Sequence, residues 1–157
     1  LSKLKRHILE DADAAAVTES LGACLLDLID LALQGKQLHW NVVGQNFRSI
    51  HLQLDEVIAS ARDASDDVAE RIVTLARPAS GRAATVAEKS RLPGCPVGLL
   101  TVAHVVPLLA ERLEKCIHGM RSGIEAVGKV DPVSEDVLIQ HCRVLEKHLW
   151  MVQAQEG

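Results

Sequence analysis

His51-Leu52-Gln53-Leu54-Asp55-Glu56 and the later Asp66-Asp67-Val68-Ala69-Glu70-Arg71 lie in one stretch of chain uninterrupted by Gly or Pro. In each segment metal-capable side chains recur four residues apart, so both members of a pair share one helix face. At about 100° per residue, His51, Asp55, Asp66 and Glu70 fall within an arc of roughly 100°. A sheltered stripe of three carboxylates and an imidazole is costly unless a cation balances it. The stretch reads as a long helix that holds a metal.

Working outward, Phe47, Ile50, Leu54, Val57, Ile58, Ala61, Val68, Ile72 and Leu75 keep a helical period around it. Asn46 is placed to cap the start of this helix, and Pro78 and Gly81 to end it. Before it, Val17, Leu21, Cys24, Leu25, Leu28, Leu31 and Leu38 predict a helix over about 13–40, which Gly44 stops in the left-handed region. After it, residues 77–100 hold Pro78, Gly81, Pro93, Gly94, Pro96 and Gly98, with room for one short helix over 85–91. So long a connection predicts a crossover between helices that are not antiparallel neighbours. A third helix follows over 102–127, with Pro107 expected to delay its start or bend it. Asp131-Pro132 opens a fourth, an acidic N-cap followed by proline. Val133, Val137, Leu138, Leu145, Leu149 and Val152 line its apolar face.

No strands or repeats are expected. The fold class is all-α: a four-helix bundle with a short extra helix in the long crossover between helices two and three. One domain spans 1–157, with 1–12 as a candidate N-terminal tail.

Composition agrees with this. The 157 residues are 48% hydrophobic but contain one Phe, two Trp and no Tyr, so the core must be built from Leu, Val, Ile and Ala. A net charge of −4 gives no bulk attraction to nucleic acid or anionic membrane. No apolar run reaches the ~20 residues of a membrane helix. There is no signal peptide, and the start at Leu1 leads us to expect further residues ahead of it. Cys24, Cys95, Cys116 and Cys142 form no C-x-x-C pair, and three lie within helical apolar patterns. They read as reduced core cysteines of a cytoplasmic protein rather than zinc ligands or a disulfide frame.

The turn between the first two helices is short, roughly 42–45, so these helices pack antiparallel. His39 and His51 are equidistant from it and face each other. A cation can then be held by His39, His51 and Asp55, a donor set that leaves positions open and suits redox-active iron. Asp66 and Glu70 cannot complete that site within the chain. Asp55 and Asp66 are about 16 Å apart along the helix, against about 2 Å for a metal–ligand bond. Antiparallel pairing of this helix with its copy would set Asp66 and Glu70 of one chain opposite His51 and Asp55 of the other, giving two identical sites.

At these residues the chain resembles a known family. Lys36-Gln37-Leu38-His39-Trp40-Asn41-Val42-Val43-Gly44, then Phe47, His51, Asp55-Glu56, Asp66 and Ala69-Glu70-Arg71, look like the signature of the Dps proteins, the DNA-binding mini-ferritins of starved cells. Leu145-Glu146-Lys147-His148-Leu149-Trp150 is similar to their final-helix motif. The resemblance runs over about 14–154. It implies a ferritin-like bundle assembled as a hollow homododecamer, with ferroxidase centres at two-fold dimer interfaces. Catalytic iron ligands would match His39, His51 and Asp55 of one chain and Asp66 and Glu70 of its mate, with Trp40 beside them. It further implies oxidation of Fe2+ to Fe3+, with hydrogen peroxide preferred, mineral storage inside the shell and protection of DNA.

Asp131, Glu135 and Asp136 fall where the family places carboxylates around iron-entry pores, Asp136 matching best. Acids in a first helical turn also suit the helix dipole, which explains all three without a pore. DNA contact in the family uses basic tails, for which the candidate here is Leu1-Ser2-Lys3-Leu4-Lys5-Arg6-His7. The location expected is cytoplasmic, with association to the nucleoid. Asp67 and Glu56 read as solvent-facing neighbours, and Arg71 as the partner of a carboxylate at a subunit contact. His7, His104, His118, His141 and His148 read as structural or surface groups. The alternative function is a nucleoid-binding stress protein with a weak or vestigial metal site. Classical ferritins and di-iron oxygenases use Glu-x-x-His, which occurs nowhere in this sequence.

Overall fold

The computed structural model describes residues 4–156. Its elements are α1 (Asp11–Asn41), β1 (Val42–Val43), α2 (Phe47–Thr74), α3 (Ala83–Lys89), β2 (Leu100–Thr101), α4 (Val102–Gly128) and α5 (Pro132–Gln153). The four long helices form two hairpins, α1–α2 and α4–α5, joined by the crossover that carries α3. Leu, Val, Ile and Ala fill the space between them, together with the thiols of Cys24, Cys116 and Cys142. All four cysteines are free, and burial pushes the thiols of Cys24 and Cys142 up to about 11. They are inert core groups. No helix of the described residues is long and apolar enough to cross a membrane.

Several boundaries differ from expectation for identifiable reasons. Asn46 precedes α2, but it sits in the left-handed region (φ 60°) and its side chain makes no cap bond. Together with Gly44 (φ 100°) it turns the chain sharply enough for α2 to start at once. α2 ends before Pro78 because Ala76 adopts φ 61°, while Arg77 N donates to Ile72 O in a closing loop. Pro107 neither delays α4 nor breaks it: the helix runs from Val102 with the proline ring on its exposed side. The Asp131 cap forms as expected, its side chain accepting from Val133 N.

The sequence pattern gave no sign of strands, yet β1 and β2 pair in parallel, Val42 with Leu100 and Val43 with Thr101. Two-residue strands carry no periodicity to read. Their pairing ties the α1–α2 turn to the end of the crossover, so the crossover runs the length of the bundle and α4 starts beside that turn.

Buried polar anchors hold the crossover along the way. Asp27 accepts from both the Arg91 backbone N and its guanidinium. Arg112, fully buried, donates to Gly94 O in the crossover, to Gln34 on α1 and to Leu108 O on its own helix.

α2 and α5 meet along a polar seam. His141 Nε2 lies 2.6 Å from Asp67 Oδ2, and His148 Nε2 lies 2.9 Å from Ser60 Oγ. Both imidazoles are buried structural groups; Asp67, expected to face only solvent, is half committed to this seam. His148 Nδ1 is buried without a partner, and burial holds the imidazole below its ordinary range. Because the unfolded chain binds that proton more readily, His148 withdraws stability as pH falls below about 6.5. His148→Phe removes this liability at the cost of the Ser60 hydrogen bond, so stability at neutral pH should change by no more than about 1 kcal/mol. Thermal melts should also show less loss of stability between neutral and mildly acidic pH than in the wild type.

Candidate metal centre

The last turn of α1 and the second turn of α2 bring His39 and His51 together. Their rings stack with centroids 3.7 Å apart and planes 22° from parallel. Each Nδ1 reaches the other residue's backbone oxygen, His39 Nδ1 to His51 O at 2.9 Å and His51 Nδ1 to His39 O at 3.0 Å. A carbonyl only accepts, so both rings carry the proton on Nδ1 and keep a lone pair on Nε2. The end of α1 frees the His39 carbonyl for this contact, since carbonyls in a helix's last turn lack intrahelical donors. The backbone thus sets both imidazoles in the tautomer that a metal needs, as outer hydrogen bonds do around metal-binding histidines.

Asp55, one turn beyond His51, completes the group. One ligand atom from each of His39, His51 and Asp55 lies within 4.8 Å of the others. A cation at about 2.1 Å from each would require the trio to close by less than about 1 Å. Asp55 Oδ1 also lies 3.3 Å from His39 Nδ1 and 2.7 Å from Lys36 Nζ. The Lys36 hydrogen bond, opposed by desolvation and aided by the two histidines, holds the Asp55 carboxyl below its usual range. Lys36 therefore supplies the positive charge that the carboxylate wants. This residue was missed in reading the sequence, although its place one turn before His39 put it on the right face. Lys36→Met should tighten cobalt(II) binding at this group about two- to five-fold, the scale of an exposed ion pair. A titration of the d–d absorption would measure it.

The remaining expected residues divide clearly. Asp66 and Glu70 lie exposed further along α2 and form no ion pair among the described residues. The single chain does not bring them to the trio. Trp40 stands beside His39 but points outward, 68% exposed. Glu56 is exposed. Arg71 is corrected: its partners are within the chain, Asp131 Oδ2 at 2.7 Å and Ser134 Oγ at 2.9 Å. That pairing also occupies Asp131. It is buried, caps α5 and neutralises Arg71, so its carboxylate is fully engaged. Glu135 is half-buried with its carboxylate against Gly128, and Asp136 is exposed.

Comparison with known proteins agrees with this architecture. A family model described as a ferritin-like domain matches residues 19–156. The chain is 35% identical over 146 residues to a DNA protection during starvation protein of Mycolicibacterium smegmatis, covering 93% of this chain and 80% of that one. It is 36% identical over 138 residues to the fine tangled pili major subunit of Haemophilus ducreyi, covering 88% and 73%. The solved structure of Dps from Microbacterium arborescens in its high-iron form superposes with a TM-score of 0.90 at 33% identity, covering 95% of this chain and 97% of that one. With a shared fold over nearly its whole length and relatives above 30% identity, the chain belongs to the ferritin-like Dps family of DNA protection during starvation proteins.

Proposed function

We propose that this protein is a ferroxidase that binds ferrous iron at His39, His51 and Asp55, with Asp66 and Glu70 of a two-fold-related copy completing the centre. The observation that carries the reading is the trio itself: one ligand atom each of His39, His51 and Asp55 lies within 4.8 Å of the others, and the reciprocal histidine–carbonyl contacts use only the Nδ1 atoms. Iron is the substrate here. Two ferrous ions each give one electron to hydrogen peroxide, the O–O bond breaks, and two protons convert the fragments to two water molecules. Taking both electrons at one centre releases no hydroxyl radical, which is how such chemistry protects DNA.

Ferric oxide then accumulates inside a closed homododecamer, with Asp136 and Glu135 lining the route of entry. Lys5 and Arg6 are exposed and form no ion pair among the described residues, and twelve copies would present them to DNA multivalently. Leu1, Ser2 and Lys3 of the same basic segment lie outside the described residues. Such a protein works in the cytoplasm, next to the nucleoid. The test is a stopped-flow trace of ferrous oxidation by peroxide for the wild type and for His51→Ala. Equal rates would remove the enzymatic reading whatever the fold.

A further inference from the structure

One link between the crossover and the metal donors runs through backbone alone. His51 Nδ1 reaches His39 O at 3.0 Å, and that carbonyl is free because α1 stops at Asn41. Were the helix to continue, the donor to His39 O would be the Val43 amide, four residues on. Local signals would let α1 run that far. Gly44, at φ 100°, is the left-handed residue that ordinarily follows a helix, which would make Val43 the last position. Instead Val42 is already extended (φ −74°, ψ 132°), and this turns the Val43 amide away from His39 O.

What overrides the local signals is the parallel pairing of Val42 with Leu100 and Val43 with Thr101. Valine loses little by leaving a helix and gains on a pleated ladder. The strand that receives it is held from both sides. Ahead of it, the buried Arg112 donates to Gly94 O at 2.6 Å, and Gly98 (φ 107°) makes the turn into the strand. Leu100 packs against the core, and Thr101 stands at the N-cap of α4.

We propose that Leu100 and Thr101 position the metal centre from the crossover: their pairing ends α1 at Asn41, which leaves the His39 carbonyl to fix the His51 imidazole. The inference rests on the metal reading of His39, His51 and Asp55 given above. Neither residue is a ligand; both act through Val42, Val43 and the His39 carbonyl. The dependence is one-sided. His39 Nδ1 bonds to His51 O, which lies inside α2 and does not depend on where α1 ends. Unpairing the strand therefore releases the His51 ring and leaves His39 with its own acceptor.

Leu100→Pro/Thr101→Pro tests this by removing both β2 amides from the ladder. Gly98→Val is a gentler second variant, strained at its positive φ but with nothing within 4 Å to clash. Leu100→Val/Thr101→Val keeps the amides and serves as the conservative control. The readout is solid-state 15N NMR of metal-free, histidine-labelled protein at mildly alkaline pH, where imidazoles are neutral. His51→Gln assigns the His51 signals. In the wild type and the control, both rings should carry the proton on Nδ1. In the perturbed variants about half or more of the His51 rings should move it to Nε2, while His39 keeps it on Nδ1. Cobalt(II) affinity should fall about tenfold, the low end for losing an outer hydrogen bond to a ligand. A His51 ring still protonated on Nδ1 in every variant that keeps its helix content, or His39 and His51 released to the same extent, would overturn the inference. Tautomers that respond as expected in a protein that never oxidises ferrous iron would instead sink the ferroxidase reading and leave the positioning role standing.

Discussion

Chains carrying His51→Ala and chains carrying Glu70→Ala, each inactive alone, should regain about a quarter of wild-type ferrous oxidation when co-assembled in equal amounts, because a two-fold dimer has two equivalent centres. Each variant by itself should lose at least about 100-fold, since even the outer partners of metal ligands are worth 10- to 100-fold. Random pairing makes about half of the dimers mixed. In a mixed dimer one centre carries both lesions and the other carries neither, so half of its centres are intact. Stopped-flow traces on subunits mixed in denaturant and refolded together would measure the recovery. If all the ligands came from one chain, no mixture could restore activity, and a flat trace would end the shared-site reading. The physical basis is the length of α2: Asp55 and Asp66 are about 16 Å apart along the helix, too far for one ion.

The second large effect is on stability. Arg71→Ala should cost about 3–5 kcal/mol, the range for breaking a buried ion pair from one side. Arg71 and Asp131 side chains are only 11% and 6% exposed. Removing the guanidinium strands a carboxylate that already serves as the cap of α5 and accepts from Ser134 Oγ. For a chain of this size that corresponds to a fall in melting temperature of about 10 °C, readable by calorimetry.

The pH dependence follows in sign. Burial pushes the Asp131 carboxyl up, but Ser134, Arg71 and the Val133 N–H together hold it below its ordinary value. A depressed carboxylate stabilises the fold above its unfolded pKa, and that contribution disappears as pH falls through the folded one. The acid limb of the wild-type stability curve should therefore flatten in Asp131→Asn. An Arg71→Ala variant that melts with the wild type would show that α5 is held by apolar packing alone.

What could be read from sequence follows the kind of interaction involved. The four long helices announce themselves because burial repeats every turn over many residues, and Asp131-Pro132 because capping is local. His39, His51 and Asp55 were legible because one short turn fixes the register of the hairpin. Ala76 was not, since nothing in the residue type signals a left-handed alanine; neighbouring packing imposes it. Arg71 was read as facing a partner subunit because its true counterion lies 60 positions away. Asp67 with His141, and the pairing of β1 with β2, escaped for the same reason: each depends on where the crossover delivers the second hairpin. Asp66 and Glu70 stay exposed on α2, and the single chain does not bring them to the trio.

The mutual grip of His39 and His51 on each other's carbonyls has a further consequence. The imidazoles serve as the clasp of the hairpin, so loosening the last turn of α1 and disarming the donors are a single event. Amide-exchange protection around the turn should rise when a non-oxidisable ion such as zinc(II) is loaded and fall when either ring is removed. Cargo and backbone would then guard one another, and a starved protein would be the one most open to proteolytic recycling.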